Sequence, residues 1–390
     1  MSVNFSIFGI PGTHIEYGAI DQMNKAMALP MAKSGALMPD AHVGYGMPIG
    51  GVVNLYNAIS PGFVGYDIAC RVSVTILDIT PQDFMNRRAD LARDMRTVSS
   101  FGIGSGFEDG KRKDHQVMDD PLWKEKPLKE LHQLAHQQLG SSGGGNHFFD
   151  ALIGHSLTEC DFPTVDGKFV AIMTHSGSRG TGHKLATYFI NLAEQETKTS
   201  GVRFERGYEW LELDGQAGQD YLRAMNLMGR YAQANHHLIH SKFLKITGLK
   251  EVAFYENHHN FAWTCDNGDV IHRKGATPAA LNQIGIIPGS SGTESYLVKG
   301  LGNKLALESS SHGAGRPFSR SEAKRRYDKN LVESVMVEKD VLSFGVDKDE
   351  AFTAYKDINV VMELQKDLVI PFAKMFPKIV IMGGRADDGD

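Results

Sequence analysis

Cysteine is scarce in this chain, the charge balance is not basic and no apolar run is long, and each shortage excludes a class of protein. Cysteine occurs three times in 390 residues, as Cys70, Cys160 and Cys265. Such an odd, sparse set is no disulfide framework and fits a reducing, cytoplasmic setting. No apolar stretch reaches the ~18 residues needed to cross a bilayer. The start, MSVNFSIFGIPGTHIEYG, has neither the basic opening nor the apolar core of a secretory signal. A soluble protein with no membrane partner is expected. The formal net charge of −5 removes global basicity as a route to nucleic acid, so any RNA contact must come from a local basic patch. Repeats and low-complexity linkers are also missing, and nothing in the chain points to an obligate protein partner. The chain is 42% hydrophobic and 22% charged, an ordinary globular composition. With no break in that composition, one compact α/β domain over residues 1–390 is expected.

What is plentiful is glycine, with 42 residues, and histidine, with 16. They coincide in GSSGGGNHFFD, THSGSRGTGH, YENHHNFAW and SSSHGAGRPFSR. MPDAHVGYGMPIGG, VGYDIACR and GIIPGSSGTESY complete a set spread from Met38 to Arg320. Glycine admits close backbone approach, while imidazole, thiolate and carboxylate bind metals and move protons. Seven such clusters point to one large polar site assembled from many loops.

Between the clusters, Pro81–Val98 reads as a helix with proline in its first turn. A second helix runs from about Asp220 to Lys245, with apolar positions at spacings of three and four. Lys168–Thr174 and residues 378–382 read as buried strands. Glu108–Pro127 is polar and charged, which predicts an exposed loop or lid.

Asp67 and Cys70 form a D-x-x-C pair at a turn, and His147, His175 and His259 supply imidazoles from distant segments. That mixture suits a borderline transition metal, with zinc, manganese, cobalt and iron all open. His236 and His240 lie one helical turn apart, as in helical zinc sites. The glutamate of a metalloprotease motif is missing, and His236 falls on the apolar stripe, so a core or supporting role is expected there. GSSGGGN lacks the lysine that completes a P-loop. Arg179, Arg316 and Arg320 each follow a histidine in a glycine- and serine-rich loop, a setting suited to phosphate oxygens. Lys324, Arg325 and Arg326 read as a solvated helix face. His312, in SSSHGAGR, is placed to act as acid, base or nucleophile, and Asp40 in MPDAH is a candidate to orient it.

Taken together, the ordered motifs resemble the RtcB family of RNA ligases over nearly the whole chain. The resemblance implies an α/β fold with mixed sheets and a loop-built central metal cleft. It implies joining of RNA 3′-phosphate or 2′,3′-cyclic phosphate ends to 5′-hydroxyl ends through a histidine–GMP intermediate. The implied cofactors are two Mn²⁺ ions and GTP, and the implied partners are the ends of cleaved tRNA or other RNA. One Mn²⁺ falls to Asp67, Cys70 and His147, the second to Cys70, His175 and His259. His312 matches the guanylated histidine and Asp40 its orienting acid. Asn146, Asp150, Ser290 and Gly313 match the nucleotide pocket, and Arg179, Arg316 and Arg320 the groups on RNA-end phosphates. The chain departs from the family where Asp150 stands for a glutamate and where ANHH replaces an asparagine–arginine pair. It also departs in a tail ending IVIMGGRADDGD, where Arg385 takes the place of a nucleotide-contacting lysine. The altered tail motivates one alternative, a metal-dependent RNA-end phosphoesterase with weak or no guanylation, and a non-catalytic RNA-end binder is the other.

Overall fold

The computed structural model of the chain describes residues 5–202 and 204–384. Arg385 lies outside the described residues. Two large sheets carry the fold. One has five strands in the order Phe5–Ile7, Ala32–His42, Ile49–Tyr56, Asp269–Lys274, Asn260–Thr264. The other runs Ile284–Ile287, Ser295–Gly300, Val369–Met382, Phe148–Ser156, Lys168–Ser176, Arg71–Leu77, Glu251–His258. Every pair along that second path is antiparallel, and Leu342–Phe344 adds a parallel strand to Val369–Met382. Its two edges curl back toward each other, since the Ile286 amide donates to Asn257 Oδ1 at 2.7 Å. The sheet is therefore a nearly closed barrel.

Strand side chains alternate between faces, and this decides what each strand offers. Val72, Val74, Ile76, Leu152, Ala171, Met173, Leu297 and Met375 fill the interior. On the outer face, Phe149, Ala151, Val170, Ile172, Ile379 and Ile381 pack under the helix Pro81–Val98 and beside Ile239 and Phe243 of the helix Gln216–Thr247. Thr80 starts the first helix, accepting from the Asp83 amide at 3.1 Å. Gly248, at φ 71°, ends the second.

The helix at Pro81–Val98 has the bounds its sequence predicts. The second helix extends past both expected ends, to Gln216 and Thr247. The strand expected near 378–382 is the end of a 14-residue strand, Val369–Met382. The polar segment 108–127 divides. Residues 108–114 are irregular and largely exposed. Gln116–Asp119 and Pro121–Lys124 are short 3₁₀ turns that bury Val117, Met118 and Trp123 in the helical core. Their apolar side chains outweigh the surrounding charge, so this half is structure and not a lid. Among the described residues, no helix is long and apolar enough to cross a membrane.

Candidate active site

One end of the barrel holds the predicted cluster, and strand alternation explains how. In Lys168–Ser176 the inward series Phe169, Ala171, Met173 continues to His175, while Val170, Ile172, Thr174 face the helix Gln216–Thr247. In Phe148–Ser156 the inward series includes Asp150 and Leu152. His175 and Asp40 thus belong to strands, not loops. Cys70 directly precedes the strand Arg71–Leu77, and His259 sits between Glu251–His258 and Asn260–Thr264.

The Asp67–Cys70 turn closes through the Cys70 amide on the Asp67 carbonyl at 3.2 Å. Ala69 there has φ 57°, a left-handed conformation that costs a non-glycine residue of order 1 kcal/mol or more. The His259 amide donates to the Cys70 carbonyl at 3.0 Å, which fixes the two segments together. Gly177 is required beside them, because a Cβ at that position would collide with Asp67 Oδ1.

The donor atoms form a sequence in space. Asp67 Oδ2 lies 3.1 Å from His147 Nε2, and His147 Nε2 lies 3.4 Å from Cys70 Sγ. Cys70 Sγ is 3.1 Å from His175 Nε2, which is 3.3 Å from His259 Nε2. Cys70 is the middle member. Edges of this length match the spacing of ligands at about 2.0–2.3 Å from one ion, and the trio Cys70, His147, His175 closes most tightly. His175 Nδ1 donates to the Asn146 carbonyl at 2.9 Å, which leaves Nε2 with a free lone pair toward the cluster. His259 Nδ1 is buried without a hydrogen-bond partner among the described residues. The residues fit a metal.

Electrostatics agree. Burial, then the neighbouring His147, holds His175 down to about 3, and burial holds His259 well below the ordinary histidine value. Both imidazoles are neutral, as a ligand must be. Burial tends to raise the Asp67 carboxyl, but the adjacent His147 more than reverses this and holds it below the usual range. Burial and the Asp67 charge push the Cys70 thiol up. A cation deprotonates such a thiol outright.

His312 stands next to the cluster, its ring centroid 4.9 Å from that of His259. Its backbone amide and Nδ1–H both donate to Asp40 Oδ2, at 3.1 and 2.7 Å. Since a carboxylate only accepts, Nδ1 carries a proton, and in the neutral ring Nε2 keeps its lone pair. Asp40 is fully buried. Gly315, at φ 71°, packs so closely on Asp40 that any side chain there would strike its carbonyl.

A cavity of about 270 Å³ opens beside His312 and His175. Asn146, Asp150, Ser290 and Gly313 line it, with Arg316 and Arg320. Asp150 is buried, its Oδ1 has no partner among the described residues, and burial raises its carboxyl well above the ordinary value. The Ser290 turn is tied by Ser290 N to Thr293 Oγ1 at 2.7 Å.

The three arginines separate. Arg316 donates to the Asp349 carbonyl, Glu350 Oε1 and the Tyr355 hydroxyl at 2.6–2.7 Å. Arg320 pairs with Asp349 at 3.0 Å and Glu350 at 2.6 Å. Arg179 lies 3.3 Å from His147 Nδ1 and donates to Ser141 Oγ at 3.2 Å, and it pairs with no carboxylate among the described residues. Its φ of 59° is a second left-handed non-glycine residue at this site.

Sequence reasoning did not single out His42, which lines the cavity and donates from Nδ1 to the Asp40 carbonyl at 3.0 Å. Its place in MPDAH, two residues after the orienting acid, was the available signal. Asp349 and Glu350 were missed with no local signal, since they meet their arginines from about 30 residues away in sequence.

Among the described residues, His236 and His240 do not join the donor cluster. They form a buried hydrogen-bond chain behind His175. His236 Nε2 faces the Ser176 carbonyl at 3.1 Å and must donate. Thr174 Oγ1 then donates to His236 Nδ1 at 2.6 Å and accepts from His240 Nε2 at 2.8 Å. Thr75 Oγ1 completes the chain, donating to His240 Nδ1 at 2.7 Å. Every polar atom along this path is satisfied in one direction, so the supporting role expected from the sequence is the observed geometry.

The buried His240 of this chain and the buried His272 of the separate strand Asp269–Lys274 predict acid sensitivity. Burial depresses His240 to about 3 and His272 to about 4. The unfolded chain binds these protons near pH 6.5, whereas the folded protein refuses them. Their contribution is therefore complete above pH 6.5 and is lost as the pH falls toward 4 and 3. Urea-unfolding curves at pH 7 and 4.5 should differ by roughly 2 kcal/mol or more. A constant midpoint over that range would contradict the neutral assignment.

Fold and site together define an α/β protein with a thiolate–imidazole centre suited to a transition metal, set beside a carboxylate-oriented histidine. The profile of the family described as tRNA-splicing ligase RtcB matches residues 22–383. The chain belongs to the RtcB family. It is 32% identical over 389 residues to the RNA-splicing ligase RtcB of Escherichia coli, covering 92% of each chain. It is 30% identical over 436 residues to the tRNA-splicing ligase RtcB of Thermococcus kodakarensis, covering 92% of this chain and 90% of that one. For the tRNA-splicing ligase RtcB of Methanococcus maripaludis the figures are 29% over 446 residues, with 95% and 92% covered.

Proposed function

We propose that this protein is an RNA ligase acting in RNA repair or tRNA splicing. It joins a 3′-phosphate or 2′,3′-cyclic phosphate end to a 5′-hydroxyl end, with GTP as the energy source. The observation that carries the reading is His312: its proton is fixed on Nδ1 by Asp40, and its free Nε2 opens on the cavity beside the Cys70–His175–His259 donors.

In this reading His312 Nε2 attacks the α-phosphorus of GTP. An N–P bond forms, and the P–O bond to pyrophosphate breaks. Asp40 offsets the positive charge that develops on the ring. Asn146, Asp150, Ser290 and Gly313 hold the nucleotide. An RNA 3′-phosphate oxygen then takes GMP from His312, and the 5′-hydroxyl displaces GMP from the activated end. Arg179, which pairs with no carboxylate among the described residues, holds an RNA phosphate. Arg316 and Arg320, shared with Asp349 and Glu350, border the nucleotide side. We assign Asp67, Cys70 and His147 to one metal ion and Cys70, His175 and His259 to another, with manganese as the ion. Bound there, the metal supplies Lewis-acid charge to phosphate oxygens. Two reacting ends held in one cleft gain rate from proximity alone.

The test is direct. Incubation with Mn²⁺ and α-labelled GTP should yield an acid-labile protein–GMP adduct that His312→Ala abolishes. Phosphate-end hydrolysis with no adduct would favour the phosphoesterase alternative instead.

A further inference from the structure

Beside Asp67, on the side of the cluster away from His312, lies an aromatic ladder to which no role has been given. Tyr66, the residue before Asp67, stacks on His183 with centroids 5.0 Å apart and planes 24° from parallel. Tyr45 backs Tyr66 at 5.4 Å and 51°. Lys274 anchors the inner rung, donating from Nζ to the Tyr45 carbonyl and, at 3.1 Å, to that of Gly62. Tyr45 and Tyr66 are half-buried, while His183 is exposed and ends the ladder in solvent. The other aromatic cluster near the site, His258, Phe261 and Trp263, differs: the Arg273 guanidinium already covers Trp263 at 4.5 Å.

His183 shares a helix with Arg179, four residues on. Four residues of helix rise about 6 Å along the axis, a separation of the same order as that between a nucleotide's phosphate and its base. Lys184, the next residue along the helix, is also exposed. Aromatic rings interleaved with unpaired cations are how proteins hold single-stranded nucleic acid.

We infer that the Tyr45–Tyr66–His183 ladder is a stacking platform for one nucleobase of a single-stranded RNA end, that of the nucleotide whose phosphate rests on Arg179. The inference rests on the RNA-ligase reading for its ligand class and adds a subsite to it. The base extends the stack beyond His183, and its phosphate lies at the guanidinium next to the metal donors. Stacking reads no base edge, so the platform accepts any base. This lets one enzyme take RNA ends of different sequence.

The experiment measures binding of a fluorescein-labelled single-stranded RNA with a 3′-phosphate, by anisotropy, to the full chain and to His183→Ala and His183→Phe. His183→Ala should raise Kd roughly fivefold or more, with no change in melting temperature. His183→Phe, which keeps a ring, should return Kd to within about twofold of the parent. Parent-like affinity in His183→Ala, equal weakening by both variants, or no RNA binding by the parent chain would each overturn the platform. The ligase reading is judged separately, by the GMP adduct of the parent chain. Binding that falls in His183→Ala, in a protein that forms no adduct, leaves the platform standing and removes the ligase.

Discussion

Cys70→Ala is expected to eliminate RNA joining and to weaken metal binding at both positions at once. Cys70 Sγ is the middle donor of the sequence, 3.4 Å from His147 Nε2 and 3.1 Å from His175 Nε2. Under the proposed two-ion assignment, loss of an outer ligand leaves one half intact, whereas loss of the thiol takes a ligand from both. Changes to groups that merely support a ligand typically cost 10–100-fold in affinity or activity, so removing a shared ligand should cost at least about a hundredfold. Cobalt titration reads this without any ligation assay: the parent should show the intense thiolate-to-metal absorption band, and the variant should not. His259→Ala should keep the band and weaken only part of the uptake. Joining by Cys70→Ala at near-parent rates would refute the shared-thiolate assignment.

The second large effect concerns Asp40. Its Oδ2 accepts from both the amide and Nδ1 of His312, so one buried oxygen fixes backbone, ring orientation and tautomer together. Asp40→Asn keeps the size but removes the charge and permits the amide nitrogen to face the ring. The imidazole then loses its fixed tautomer, and the positive charge formed on attack loses its counter-charge. In carboxylate–histidine pairs of this kind the loss reaches about 10⁴-fold. Adduct formation should fall by roughly a thousandfold or more, while cobalt uptake stays at the parent level. A variant that lost both together would show Asp40 to be a fold determinant, with no specific hold on His312.

How much of this was legible beforehand follows from the range of each interaction. Period-2 and period-3.6 patterns are local, so Lys168–Thr174, Pro81–Val98 and the core of the long helix could be read directly. The Asp67–Cys70 turn was readable because its members are three residues apart. Val369–Met382 was seen only at its end, since Pro371 and Pro377 interrupt its apolar pattern. Both prolines lie at register shifts, where a missing amide costs no ladder bond. The spatial order of the metal donors was not legible, because it depends on four strands arriving at one end of a barrel. The partners of Arg316 and Arg320 were hidden for the same reason. Nor could the sequence show that Arg179, of the three arginines, is the one that pairs with no carboxylate among the described residues.

The alternation along Lys168–Ser176 has a consequence for how this segment can change over evolutionary time. His175 and Thr174 are adjacent in the chain yet serve opposite sides of the sheet, one the donor cluster and the other the buried histidine chain. A one-residue insertion or deletion upstream in this strand would exchange the two sides. A threonine would then enter the metal centre, and an imidazole would press into a region with no room for it. Length variation here should be barred even where amino-acid replacement is tolerated, and variation among relatives should collect instead in connections such as 157–167.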